Sequence, residues 1–266
     1  MESAQRFGLR AWEAFLCGNA LMAALRTGEW EWALTVAPEV MRDDPVTATN
    51  GEVDSYAAII TALRGEGDRL ASNLAAMVPI TASTSDPQYA AIMSMLRTWQ
   101  AFTSGDLEAT SSEGVPMEVE DPTYSSTAYS LAGHSALWLR DVDRARDAEK
   151  ALNGLTVRGQ WVDACRRSLA AGIAALEGNS HEALTGFTEA ARMFRDHGMP
   201  FDTALCLMDE VATLGTDQPA GRAAADEARE ILQNLGASVL LDQLDRLSAS
   251  SESAPSDLEV PAFTQL

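Results

Sequence analysis

Apolar side chains recur along most of this chain at spacings of three and four residues, the period of a helix that buries one face. The clearest case is residues 182–196, EALTGFTEAARMFRD, where Leu184, Phe187, Ala190, Ala191 and Phe194 share a side. Asn179 with Glu182 three positions later offers a capping-box start. Gly198 and Pro200 supply the stop, since glycine tolerates the left-handed C-cap and proline cannot continue a helix. No segment shows the period-two alternation bounded by Asn-Gly or Asp-Gly that a β-hairpin needs. The pattern predicts an all-α chain.

The helices also repeat. GEWEWA ending at Ala33, GEGDRLA at Ala71, SGDLEA at Ala109, RDVDRA at Ala145 and GNSHEA at Ala183 each follow one helical stretch and open another. Their alanines lie 38, 38, 36 and 38 residues apart, and a looser copy places Ala224 41 residues after Ala183. A small residue just past a turn lets two antiparallel helices approach closely, so the spacing predicts about six stacked hairpins. SVLLDQLDRL, residues 238–247, carries an apolar stripe of Leu240, Leu241, Leu244 and Leu247 and is expected to cap the open end. Residues 1–247 are therefore read as one helical repeat domain. Residues 248–266, rich in serine with two prolines, are read as a disordered tail. Gly114, Pro116 and Pro122 should shorten the second helix of the third hairpin, and Pro38 threatens that of the first.

These units resemble tetratricopeptide repeats. Asn19-Ala20 through Gly28-Glu29-Trp30-Glu31-Trp32-Ala33 is similar to the family's asparagine-bearing first helix, turn glycine and small second-helix residue. Ala171, Gly178, Ala183, Phe187 and Ala190 match the small, turn, small, aromatic and small positions of a second unit. The period is longer than the family's about 34 residues. It looks more like the degenerate arrays at the C-terminal ends of bacterial LuxR-type ATPase regulators and cyclase–ATPase fusions. The resemblance spans about residues 5 to 247 and implies an α-α superhelix, a TPR-like solenoid. No GxxxxGK[ST] loop is present, so the reading is a stand-alone module or a fragment of a longer regulator without its catalytic domain.

Composition narrows the partners. The chain has 39 acidic and 19 basic side chains, a formal charge of −20, which argues against a nucleic-acid backbone as ligand. It favours a basic or amphipathic protein or peptide. Three widely spaced cysteines without a CxxC motif suit a reduced, cytoplasmic chain, and no apolar run is long enough to span a membrane. The alanine- and arginine-rich, lysine-poor composition suggests a bacterial source.

Catalytic signals are poor. His181-Glu182 begins like HExxH, but Thr185 stands where the second histidine belongs. Neither His134 nor His197 has an evident nucleophile or ligand beside it in the sequence, and Asp141 with Asp143 falls at a turn where caps are expected. Gly65-Glu66-Gly67 lacks the rest of a dinucleotide loop, and Thr264-Gln265-Leu266 has only the bare form of a PDZ ligand. Cys165 and Cys206, 41 residues apart, are expected on successive first helices as small buried hydrophobes, with a redox or metal role as the alternative. No enzyme activity, cofactor or metal is expected. The resemblance implies that a partner lies on the concave face lined by first helices. Its candidate contacts are Asn19, Trp99, Trp138, Arg140, Trp161, Arg166 and Arg167; the basic partners of a carboxylate clamp cannot be placed. The expected function is a protein–protein or regulatory interaction module in bacterial signalling; the alternative is a sensor that seats a small effector or peptide in the same groove.

Overall fold

In the computed structural model residues 9–41, 48–83, 85–114 and 121–252 are described, and among them there are thirteen helices and no strand. In chain order they are α1 (Arg10–Thr27), α2 (Trp30–Met41), α3 (Ala48–Leu63), α4 (Asp68–Ala82), α5 (Pro87–Ser104), α6 (Leu107–Glu113) and α7 (Pro122–Trp138). Then follow α8 (Val142–Gly154), α9 (Gln160–Leu176), α10 (Ser180–Asp196), α11 (Pro200–Leu214), α12 (Pro219–Leu235) and α13 (Ser238–Glu252). The last helix runs past Leu247 to Glu252, and the remainder of the expected tail lies outside the described residues.

Five turns set the register. Gly28, Gly65, Gly105, Arg140 and Gly178 close α1, α3, α5, α7 and α9 with positive φ. In each case the next N–H donates to the carbonyl five residues back, as in Glu29 to Ala24 and Asn179 to Ala174. The residue after the left-handed one is Glu29, Glu66, Asp106, Asp141 or Asn179. Asp106 and Asp141 accept from the N–H of Ala109 and Arg144, capping α6 and α8. Five residues after the left-handed position sit Ala33, Leu70, Thr110, Ala145 and Ala183, all buried. The alanine ladder is thus off by one in the second and third units: Ala71 is exposed and Ala109 half-buried. Asn179 does begin α10, but its side chain makes no cap hydrogen bond, so the expected capping box is not formed.

The proline expectations divide. α6 is cut to seven residues, as Gly114 and the prolines beyond it suggested. A side chain at Gly114 would lie 2.8 Å from Ala132 Cβ, so this glycine lets the short helix end against α7. Pro38 does not end α2, which continues to Met41. The ring sits on the exposed side, where a carbonyl freed from its helical bond can meet water.

Each helix packs on the next, and each odd-numbered helix packs on the following odd one. Neighbouring hairpins therefore share an inner row of odd helices and an outer row of even ones. Two further sets of contacts close that row: α11 reaches back to α1 and α7, and α13 to α3 and α5. Both α7, from Tyr124 to Trp138, and α11, from Phe201 to Thr213, are buried on every side. In α7 this follows from small residues all round, SSTAYSLAGHSA, which admit neighbours in each direction.

Candidate functional site: a polar axis and an apolar edge

α11 carries acids into the interior. Asp202 and Asp209 lie two turns apart, which places both on the side facing the other odd helices. Asp209 is fully buried and accepts from three side chains: His134 Nδ1 at 2.8 Å, Trp138 Nε1 at 2.9 Å and Ser168 Oγ at 3.1 Å. Asp202 Oδ1 accepts from Arg26 Nη1 at 2.9 Å and Trp161 Nε1 at 2.7 Å. The Arg26 guanidinium also stands 3.6 Å from the Trp161 ring centroid, a cation–π contact, and donates to Thr127 Oγ1. α1, α7 and α9 are thereby tied to one central helix.

An aromatic chain fixes its first turn. Phe201 lies between Trp30 and Trp99, with ring centroids 5.8 and 6.1 Å away, and Phe102 links Trp99 to Trp138. At the other end Arg140 donates from Nη1 to the carbonyls of Ala212 and Thr213. Those carbonyls belong to the last turn of α11, where a cation complements the helix dipole. Arg140 holds φ 58°, the one non-glycine at positive φ among the described residues.

Ser130, His134 and Asp209 stand in the order nucleophile, base and orienting acid. Ser130 Oγ is 3.3 Å from His134 Nε2, so His134 is not isolated, contrary to the expectation from its sequence neighbours. Ser130 also donates to Cys165 Sγ at 3.6 Å. The roles of the ring nitrogens follow the tautomer: with Nδ1–H donating to Asp209, Nε2 accepts from Ser130 Oγ in the neutral ring and donates to it in the charged one. Burial alone pulls the His134 pKa down; the charge and hydrogen bond of Asp209, with Asp202 further off, outweigh that and raise it. The cavity beside the three residues, also lined by Leu152, Cys165 and Leu169, measures about 10 Å³. That is room for one water molecule, too small for an acyl substrate.

The cysteines are buried and free. Burial, with Glu13 adding to it, pushes the Cys17 thiol up to about 11; burial with Asp202 pushes Cys165 to about 12, and Cys206 is also raised. Thiols held protonated in this way are poor nucleophiles. Among the described residues no three histidine, cysteine, aspartate or glutamate side chains converge as metal ligands.

The seven residues expected on the concave face separate into two groups. Trp99, Trp138, Arg140 and Trp161 meet α11, so the chain's own helix covers the surface they line. Asn19 Nδ2 donates to the Phe15 carbonyl on its own helix. Arg166 donates to the Leu152 and Leu155 carbonyls, bracing the α8–α9 connection, and Arg167 pairs with Glu189 on the surface. The sequence did not single out Arg26, Ser168, Asp202 or Asp209. The available signal was two acids, seven residues apart, inside the apolar run PFDTALCLMDEVATL.

The outer side of α1 shows the opposite chemistry. Leu9, Trp12, Phe15 and Leu16 are 50%, 60%, 49% and 40% exposed, and Trp12 meets Phe15 edge to face at 5.9 Å. Four large apolar side chains on adjoining turns form a continuous patch, unlike the scattered single residues normal on a surface. None of the described helices is long and apolar enough to cross a membrane. Comparison of the chain with models of known families, with characterised proteins and with solved structures finds no match in any of the three.

Proposed function

We propose that this chain is a non-catalytic interaction module of the tetratricopeptide-like kind, serving bacterial regulation in the cytoplasm. Its docking surface is the outer stripe of α1, in place of the concave face. The observation that carries the reading is the exposed Trp12–Phe15–Leu16 stripe, set against an inner row already filled by α11. Aromatic anchors of this size are what a partner helix buries in a helix-on-helix contact.

Charge selects the occupant, an amphipathic helix of another protein with basic flanks. In the first two hairpins Arg26, Arg64 and Arg69 are each paired, with Asp202, Glu31 and Asp54. Glu29, Glu39, Glu66 and Asp68 remain exposed, and the whole chain carries −20. The chain's overall negative charge attracts a basic segment and repels an acidic one as a helix approaches the apolar stripe.

The test is a fluorescence-anisotropy titration with two labelled amphipathic peptides, identical in apolar face and carrying lysine or glutamate flanks. The lysine peptide should bind, weaken as salt rises, and lose binding to a Trp12→Ser/Phe15→Ser variant. Equal binding of both peptides, or unchanged binding to the variant, would overturn the proposal. An effector seated in the concave groove is the weaker reading, because it would have to displace α11 from Trp138, Arg140 and Trp161.

A further inference from the structure

Helix α13 buries Leu240, Gln243, Leu244 and Leu247, at positions i, i+3, i+4 and i+7, and leaves Asp242, Asp245 and Arg246 in water. That is the stripe with which a peptide helix lies in an apolar groove. The groove is built by α11 and α12 together with α3 and α5, far earlier in the chain. The turns of the first three hairpins mark its course. A Cβ on Gly28 would stand 2.9 Å from Leu235 Cδ2, at the end of α12. One on Gly65 would stand 2.9 Å from Ser238 Oγ, at the start of α13, and one on Gly105 3.9 Å from Arg246 Nη2. Ser238 and Arg246 are eight residues apart. Along a helix that is about 12 Å, close to the about 8–10 Å that separates packed helices. So α13 runs crosswise, from the turn of one hairpin to the turn of the next.

This strap is held differently from α11, which is buried on every side and pinned through Asp202 and Asp209. α13 offers one face, and its ion pair, Asp245 with Arg229, runs to its own hairpin partner α12. Charge works against it. Each of the three turn glycines is followed by an exposed acid, Glu29, Glu66 or Asp106, and α13 adds Asp242 and Asp245 on its exposed side. Arg64, 3.6 Å from a Cβ on Gly236, is spent on Glu31. We propose that α13 is a releasable strap, an internal ligand that swings out at Gly236 and yields its groove to an amphipathic helix of another protein. That helix carries the same four-point apolar stripe, with lysine or arginine where α13 has Asp242 and Asp245. Gly236 is the pivot: it holds φ 69° in the turn between α12 and α13, a left-handed conformation natural to glycine. The groove is separate from the exposed stripe on α1, and neither reading depends on the other.

The test uses the full chain. By hydrogen exchange the α13 amides should be at least about ten-fold less protected than those of α11, and their protection should rise with salt as the repulsion is screened. Asp242→Lys should raise α13 protection about two- to five-fold and leave α11 unchanged. Binding is then read with a labelled peptide of residues 237–252 bearing Asp242→Lys and Asp245→Lys. The titration is run in the Trp12→Ser/Phe15→Ser background, so that the stripe on α1 cannot take the peptide. Adding Leu240→Ser/Leu244→Ser to the chain frees the groove and should tighten peptide binding about ten-fold or more. Should that variant fail to fold, Asp245→Ala removes only the exposed pair with Arg229 and should tighten binding about two- to five-fold. Exchange of α13 and α11 in one common unfolding step, α13 protection that falls with salt, or peptide binding indifferent to the strap variants would each overturn the proposal.

Discussion

Helices α1 and α11 wear their chemistry on opposite sides. In α11 the carboxylates of Asp202, Asp209 and Glu210 are inside, while in α1 the rings of Trp12 and Phe15 are outside. Burying a carboxylate costs several kcal/mol unless donors replace its water, and Asp209 has three of them. Leaving Trp12 in water forgoes about 1.5–3 kcal/mol of burial that a folded chain would otherwise collect. The two departures differ in consequence. The inner one is satisfied by the chain itself and serves its architecture. The outer one is unmet within the described residues, and so points beyond them.

Breaking the inner arrangement should have the largest effect. Asp209→Ala removes the acceptor shared by His134, Trp138 and Ser168 and leaves three buried donors unpaired. The expected loss is about 3–5 kcal/mol in urea unfolding at pH 7. Asp209→Asn should lose less, since one amide oxygen can still accept from Trp138. A loss below about 1 kcal/mol for Asp209→Ala would mean that this joint does not hold α7 and α9 to α11.

Arg140 sharpens the point at one residue. Four sister turns use glycine at positive φ; here an arginine bears the strain and spends its guanidinium on the α11 carbonyls. Arg140→Ala keeps the strain and loses the bonds, and should cost about 2 kcal/mol. Arg140→Gly loses the same bonds but relieves the backbone by about 1 kcal/mol, so it should be the milder change. Chemical unfolding of both variants gives the ranking: the reverse order would show that the backbone at residue 140 is unstrained, and no loss in either variant would show that the contacts to α11 are idle.

How much of this could be read from the sequence depends on how local each feature is. Helix α10 was legible because its stripe, its start and its Gly198 stop lie within twenty residues. The period was legible too, but its register was not. Alanine is common enough to match at Ala71 and Ala109, whereas the physical marker is the left-handed turn residue followed by an acid or asparagine. That marker would have been obscured at Arg140, where no glycine signals the turn. The residues Trp138, Arg140 and Trp161 were expected on a concave face as partner contacts; in the structure they meet α11, and nothing local in the sequence says so. Their partners lie 71, 72 and 41 positions away in the chain, on a helix that returns to the centre only because the array closes on α1.

The pH dependence of stability tests the ionised interior as a whole. A histidine whose folded pKa is raised contributes stability that is complete below about 6.5 and is lost as pH rises through its folded value. Glu210, raised from 4.5 to about 7, acts in the same sense: the folded state holds a proton that the unfolded state has released. Stability should therefore fall as pH rises across 4.5 to 7 on account of Glu210, and further as His134 deprotonates. Glu210→Gln removes the first contribution and should stabilise the protein at pH 8 by on the order of 1 kcal/mol, after allowance for its partial contact with water. Thermal melts at pH 6 and pH 8 check it; a variant no more stable than the parent at pH 8 would place Glu210 in better-solvated surroundings.

The smallest effect on stability belongs to the outer helix, and its smallness is what identifies it. Trp12→Ser with Phe15→Ser removes two rings that are about half in water and meet edge to face. Surface changes of this kind alter folding stability by no more than about 0.5 kcal/mol. The same pair of changes should abolish the binding of the lysine-flanked peptide. An interior residue shows the reverse profile, a large loss of stability that no partner restores. If the double variant instead unfolds several kcal/mol more easily, Trp12 and Phe15 belong to the chain's own packing, and the contrast between the two helices disappears.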